Sequence, residues 1–204
     1  MSSSPLVVLF MLGVGIYVAH LWWTDLQAHR QGKPTSGGLP GARPTRSTAM
    51  VIAVVGSLVI LAGETWGEIH LGLTAEQSEI TVLFGCYTLV AAVIEEIIFR
   101  GFIVVPEARG RAAVWGGVFG ASIVFALIHP FLWEWDDGTL TWTLGAKGWF
   151  STGAVFASSL WFYTVRFMPA NPSRSLLPCF AAHAAKNLGV FAIKAAQGFV
   201  VGLW

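Results

Sequence analysis

The feature that most limits what this chain can become is its succession of apolar runs, each close to the length of a bilayer. A membrane-crossing helix needs about 20 mostly apolar residues. Six stretches approach or exceed that: Pro5 to Trp23, about Thr48 to Gly63, Ile80 to the residues before Pro106, about Ala113 to Trp133, Gly148 to Met168, and Leu176 to Trp204. The second is the shortest. Charged residues make up 11% of the 204 and hydrophobic ones 55%, with mean hydropathy +0.67. A soluble domain covers its surface with about a quarter charged residues, so a soluble fold is excluded, and the apolar content excludes disorder. Pro5 to Trp23 has no basic segment before it and no small-residue cleavage site, so it reads as a helix and not as a signal peptide. The expected fold is all-α: a polytopic transmembrane bundle of about six spans, with residues 1–79 supplying two N-terminal helices and 80–204 the helical core.

Charge sorts the loops. Arg30, Lys33, Arg43 and Arg46 follow the first span, Arg109 and Arg111 the third, and Arg166 and Arg174 the fifth. Glu64, Glu68, Glu76 and Glu79 follow the second, and Glu134, Asp136 and Asp137, with Lys147, the fourth. Under the positive-inside rule the basic loops are cytoplasmic and both termini lie outside, in a plasma (inner) membrane. Gly32 to Pro44 reads as a flexible cytoplasmic loop. A net charge of +1 leaves no footprint for nucleic acid. Cys86 and Cys179 form neither a disulfide framework nor a zinc spacing. Trp115, Trp133, Trp135, Trp142, Trp149 and Trp204 fall mostly near span ends, as interfacial anchors do.

Polar residues inside the apolar runs carry the functional information. An ionisable side chain at mid-membrane costs about 2.5–3.5 kcal/mol on insertion scales, so each marks a functional site by default. Glu95, Glu96 and Arg100 lie in the third run, His129 near the end of the fourth, and His183, Lys186, Asn187 and Lys194 in the sixth. Lys194 sits near enough to the outer end to snorkel, and Lys186 also reads as structural. Glu96 and Arg100 are four apart and share a helix face. Adjacent Glu95 is turned about 100° away and faces another partner. His183 and Asn187 repeat the four-residue spacing, as do Phe125 and His129, and Pro130 then loosens the helix. A carboxylate, an imidazole and an imidazole–amide pair, brought from three helices, are what water-mediated acyl hydrolysis requires: a base, a group that holds the water, and oxyanion donors.

The words EEIIFRG, FALIHP and HAAKN, in that order on successive spans, resemble the three motifs of the CAAX-processing and bacteriocin-processing (CPBP) family of intramembrane proteases, over roughly Ile80 to Trp204. The resemblance implies peptide-bond hydrolysis in or near the membrane, on a membrane-associated and in some cases lipidated substrate. It assigns Glu95 as general base and His129 as the group that binds and polarises water. It places His183 and Asn187 at the oxyanion site and lets Glu96 with Arg100 hold the architecture. Both metal-dependent and glutamate mechanisms have been described for the family. Glu95, His129 and His183 would be the zinc ligands of the first, whereas the lack of H-E-x-x-H spacing favours the second, with no cofactor.

Other chemistries find less support. No histidine is followed by Glu, Asp25, Asp136 and Asp137 fall in loops, and Ser122 lacks the glycine that a rhomboid-type serine requires after it. Two alternatives stay open: sortase-like processing of C-terminal sorting tails, for which Cys179 is the only thiol near the motifs, and a non-catalytic membrane binding or immunity protein. A proton-coupled transporter would show internal repeats, and none is visible. With the spans drawn as above, Glu95 and His183 lie about 10–15 Å from the cytoplasmic end and His129 nearer 24 Å, a mismatch that tilt or a later start of the fourth helix would absorb.

Overall fold

The computed structural model describes residues 4–33, 36–136 and 138–204. Six α-helices follow one another: α1 (Pro5–Arg30), α2 (Ser47–His70), α3 (Val82–Glu96), α4 (Arg111–Ile128), α5 (Ala146–Phe167) and α6 (Leu177–Ala196). A π-helical turn, Ile97–Phe102, prolongs α3. Leu6, Phe10, Ile16, Val51, Val55, Val59, Phe119 and Ile123 all face outward. In water such a surface would aggregate; in lipid it is the expected exterior. The all-α membrane bundle is therefore as expected.

The count of spans needs refinement. α1, α2, α3 with its π turn, and α4 are long and apolar enough to cross a bilayer by themselves. α5 and α6 have the length but not the composition, because α5 carries Ser151, Thr152, Ser158, Ser159 and Arg166 and α6 carries His183, Lys186 and Lys194, all buried. These two helices bring the polar interior, and they are shielded by their neighbours: α2 packs along α6 and α5, and α1 along α3.

Helix ends and loops gather at two opposite ends of the bundle. At one, the loop before α2 ties to the loop between α5 and α6: Leu176 N–H donates to Gly41 O (3.0 Å) and Ser175 Oγ to Arg43 O (2.6 Å). There too the Trp22 indole donates to Pro40 O (3.0 Å), and Gly101 lets Pro40 approach within 2.6 Å of where a Cβ would stand. Of the stretch read as a flexible loop, the part from Leu39 to Arg43 is thus packed, because its backbone groups find fixed partners, while Ser36 to Gly38 stay exposed; Pro34 and Thr35 lie outside the described residues. Arg174 Nε donates to Glu107 at 2.7 Å and holds that carboxyl below its usual range, though both groups are too exposed to add much stability.

At the other end α2 runs seven residues beyond the Gly63 boundary. Glu64 and Glu68, read as loop residues, are helical and mostly enclosed: Glu64 pairs with Lys186 (2.7 Å), and Glu68 with Lys147 and Gln77. Neutralised carboxylates do not end a helix. Lys194 reaches the loop at this end, where it donates to Ser78 O (2.6 Å), and is 8% exposed. The last run is shorter than expected: α6 stops at Ala196 and the tail turns back, so that Ile80 N–H meets Phe199 O (2.9 Å). The fourth run also ends early, at Ile128, and gives way to a hairpin of β1 (Trp133–Asp136) and β2 (Thr139–Trp142). Asp137, counted with the acidic loop, lies outside the described residues.

This end-on arrangement removes the mismatch in depth. α4 has already made nearly two turns when Gly117 meets Val105, which precedes it in the connecting segment. From there His129 is about 18 Å along α4. The ring of Phe125, one turn before His129, lies 4.4 Å from the Arg100 guanidinium and 6.2 Å from the His183 ring, so the end of α4 stands beside the polar groups that follow α3 and line α6.

Candidate active site

The polar centre is built where α3, α4, α5 and α6 meet. Glu96, the last residue of α3, is fully buried. Its Oε1 accepts from Arg100 Nη1 at 3.1 Å and from His183 Nδ1 at 2.8 Å. Arg100 is also fully buried, and it donates through Nη2 to Ser159 Oγ (2.6 Å) and Ser159 O (3.2 Å). Ser159 in turn donates to Ser122 Oγ (3.0 Å). Four rings surround the guanidinium, those of Phe125 (4.4 Å), Tyr163 (4.8 Å), Phe162 (5.1 Å) and Phe99 (5.8 Å). The buried cation is thus held by one carboxylate, by one serine through its hydroxyl and its carbonyl, and by four aromatic faces.

The π turn explains why α5 must be polar. Its wider winding, with Ile103 N–H reaching Ile98 O, leaves neighbouring carbonyls without their ordinary helical donors. The Tyr163 hydroxyl takes up Phe99 O (2.8 Å) and Ile103 O (3.0 Å), and Arg166 Nε takes up Arg100 O (3.1 Å). Sequence reasoning missed Ser159, Tyr163 and Arg166. The available signal was the run of hydroxyl residues and an arginine inside an apolar helix.

Glu95 points elsewhere, as the 100° rotation predicts. Its side chain is 31% exposed and Oε2 stands 3.8 Å from His183 Nε2, too far for a hydrogen bond. His129 lies one residue past α4 and not within it. The residue before a proline is driven out of helical geometry, and His129 is extended (φ −76°, ψ 129°). Its ring folds back so that Nδ1 donates to Phe125 O at 2.6 Å. Phe125 separates the two imidazoles, 4.8 Å from His129 and 6.2 Å from His183, while Phe162 stacks on His183 at 4.7 Å. Asn187 donates through Nδ2 to Thr88 O (3.0 Å), fastening α6 to α3.

Hydrogen bonding fixes the tautomers. Carbonyl and carboxylate oxygens only accept, so both histidines donate through Nδ1, and each neutral ring presents its Nε2 lone pair. Among the described residues no three His, Cys, Asp or Glu side chains are gathered so as to hold a metal ion. Glu95, His129 and His183 as placed do not gather into a zinc site. Cys179 is fully buried with Sγ 3.5 Å from Phe162 O, out of reach of a substrate. A groove of about 360 Å³ between α2 and α5, lined by Ile60, Gly63, Glu64, Phe150 and Ala154, opens on the outer face beside the Glu64–Lys186 pair.

A polar centre of carboxylates and imidazoles, enclosed by apolar membrane-length helices, defines an integral membrane protein equipped for chemistry within its bundle. Residues 77–189, more than half of the chain, match the family described as type II CAAX prenyl endopeptidase Rce1-like. The chain belongs to that family: it is a CAAX-type intramembrane protease, with a membrane-associated substrate. No curated protein and no solved structure matches it.

Proposed function

We propose that the protein hydrolyses a peptide bond near the C-terminus of a membrane-associated, lipidated protein, with water activated by Glu95 and without a metal. The observation that carries this reading is the division between the two adjacent glutamates. Glu96 is consumed by Arg100 and His183. Glu95, partly exposed and facing His183 Nε2 across 3.8 Å, accepts no hydrogen bond among the described residues. A base must be free to take a proton.

Water held by Glu95 and the His129 Nε2 lone pair attacks the scissile carbonyl carbon, and Glu95 takes its proton. The oxyanion forms beside His183 and Asn187. Because His183 already donates through Nδ1 to Glu96, it donates to the oxyanion only when Nε2 also carries a proton. Collapse breaks the C–N bond and Glu95 returns the proton to the leaving amine. The apolar groove between α2 and α5 has room for part of a lipid chain. The basic end of the bundle faces the cytoplasm of a plasma (inner) membrane, with both termini outside.

The test is Glu95→Gln in proteoliposomes with a lipidated peptide reporter. Cleavage should drop by at least about a hundredfold, with thermal stability unchanged. Cleavage at the unaltered rate would remove Glu95 from the mechanism.

A further inference from the structure

The hairpin after His129 is amphipathic in a way that neither the motifs nor the proposed chemistry uses. Trp133 pairs with Trp142 and Trp135 with Leu140, while Glu134 pairs with Thr141 and Asp136 with Thr139. Side chains directly opposite one another share a face, and successive residues alternate. One face therefore holds three tryptophans and a leucine, and the other two carboxylates and two threonines. The apolar face is bare: Trp135 is 56%, Leu140 44% and Trp142 66% exposed. A two-stranded ribbon with one uncovered apolar face is not stable in water on its own.

The base of the hairpin shows which way that face is turned. The Trp133 indole donates to Leu127 O at 2.8 Å, in the last turn of α4, whose Phe119, Ile123, Leu127 and Ile128 form part of the apolar exterior. Across the other strand, exposed Leu144 and Trp149 lead onto α5. The tryptophan face thus continues the lipid-facing surface of the bundle at the height where the helices end. Tryptophan prefers this level of a bilayer, with its ring in the boundary and its N–H hydrogen-bonded. We propose that the hairpin lies in the plane of the bilayer surface at the acidic end of the bundle, with Trp133, Trp135, Leu140 and Trp142 seated among the lipids and Glu134 and Asp136 in water. Buried Leu132 anchors the strap three residues from His129, and Thr143 N–H holds Leu132 O at 2.8 Å. The lipid surface thereby supports the turn that carries the imidazole.

The test needs no activity and so stands apart from the proposed function. Full-length protein with Cys86→Ser, leaving only the fully buried Cys179, is reconstituted with an environment-sensitive thiol label at Leu140→Cys or Thr141→Cys. The Leu140 label should be quenched several-fold more by lipid-borne nitroxide than by aqueous iodide, and the Thr141 label the reverse. Trp142→Cys and Thr139→Cys repeat the comparison should the first pair fold poorly. Iodide quenching equally strong on both faces would place the hairpin in water and overturn the proposal. Shielding from both quenchers would put a second copy or another protein on this face, and would overturn it equally.

Discussion

Replacing Glu96 by glutamine tests the architecture of the site most directly. In the folded protein Glu96 and Arg100 are both fully buried, and one carboxylate oxygen serves both Arg100 Nη1 and His183 Nδ1. Glutamine has one acceptor oxygen without charge, and its amide would present N–H to a ring nitrogen that is itself a donor. Breaking a buried ion pair from one side costs about 3–5 kcal/mol, because the remaining charge stays enclosed. Ser159 and four aromatic faces still hold the guanidinium, which sets the expectation at the lower end, about 3 kcal/mol. For a chain of this length that lowers the melting temperature by roughly 6–12 °C. Glu95→Gln, a change at a side chain that is 31% exposed and has no partner within hydrogen-bond distance, should stay within about 0.5 kcal/mol. The assay is thermal unfolding of both variants in the same lipid nanodiscs, with Glu96→Gln/Arg100→Met added. Removing both charges should recover part of the loss, since an apolar replacement leaves no orphan ion. Equal destabilisation by the two single variants would refute the division of labour, and a neutral Glu96→Gln would show that the Glu96–His183 contact is not what holds α3 to α6.

Tyr163→Phe should cost about 1–3 kcal/mol by leaving the Phe99 and Ile103 carbonyls of the π turn unpaired, measured in the same unfolding assay; a smaller loss would mean that the turn holds itself. Exhaustive chelation should leave cleavage unchanged; loss of activity restored by zinc alone would replace the glutamate mechanism and keep the protease. Reporter fusions at Gly38 and Gly138 should show opposite sides of the membrane, and a common side would overturn the orientation drawn from the arginines.

Much of the site was legible because its spacing is helical. Glu96 and Arg100 pair as four-residue neighbours must, and Glu95 turns away by the same geometry. His183 and Asn187 present one face of α6 to α3. What was not legible depended on partners distant in the chain. Glu64 and Glu68 read as loop residues because nothing local shows that Lys186 and Lys147 will neutralise them inside the bundle. The glycine- and proline-rich stretch read as flexible, since its fixed partners, Leu176 and Ser175, lie more than 130 positions away.

The sequence by itself determined the class. An apolar chain with so few charges has only the membrane in which to fold, and three polar motifs at helical spacing placed a reactive centre inside it. Helical spacing already gives Glu96 to Arg100 and turns Glu95 away. Tertiary structure alone decided what the two glutamates meet across the bundle: the packing of α6 against α3 brings His183 Nδ1 to Glu96 and sets Glu95 opposite its Nε2. It also decided where His129 stands, because Pro130 ends α4 locally, but the height of that end beside Glu95 is set by the connection from the π turn. Local physics settles conformation and periodicity over a few residues. The pairing of buried charges is a property of the assembled bundle, where desolvation makes each ion depend on a partner that the linear chain does not reveal.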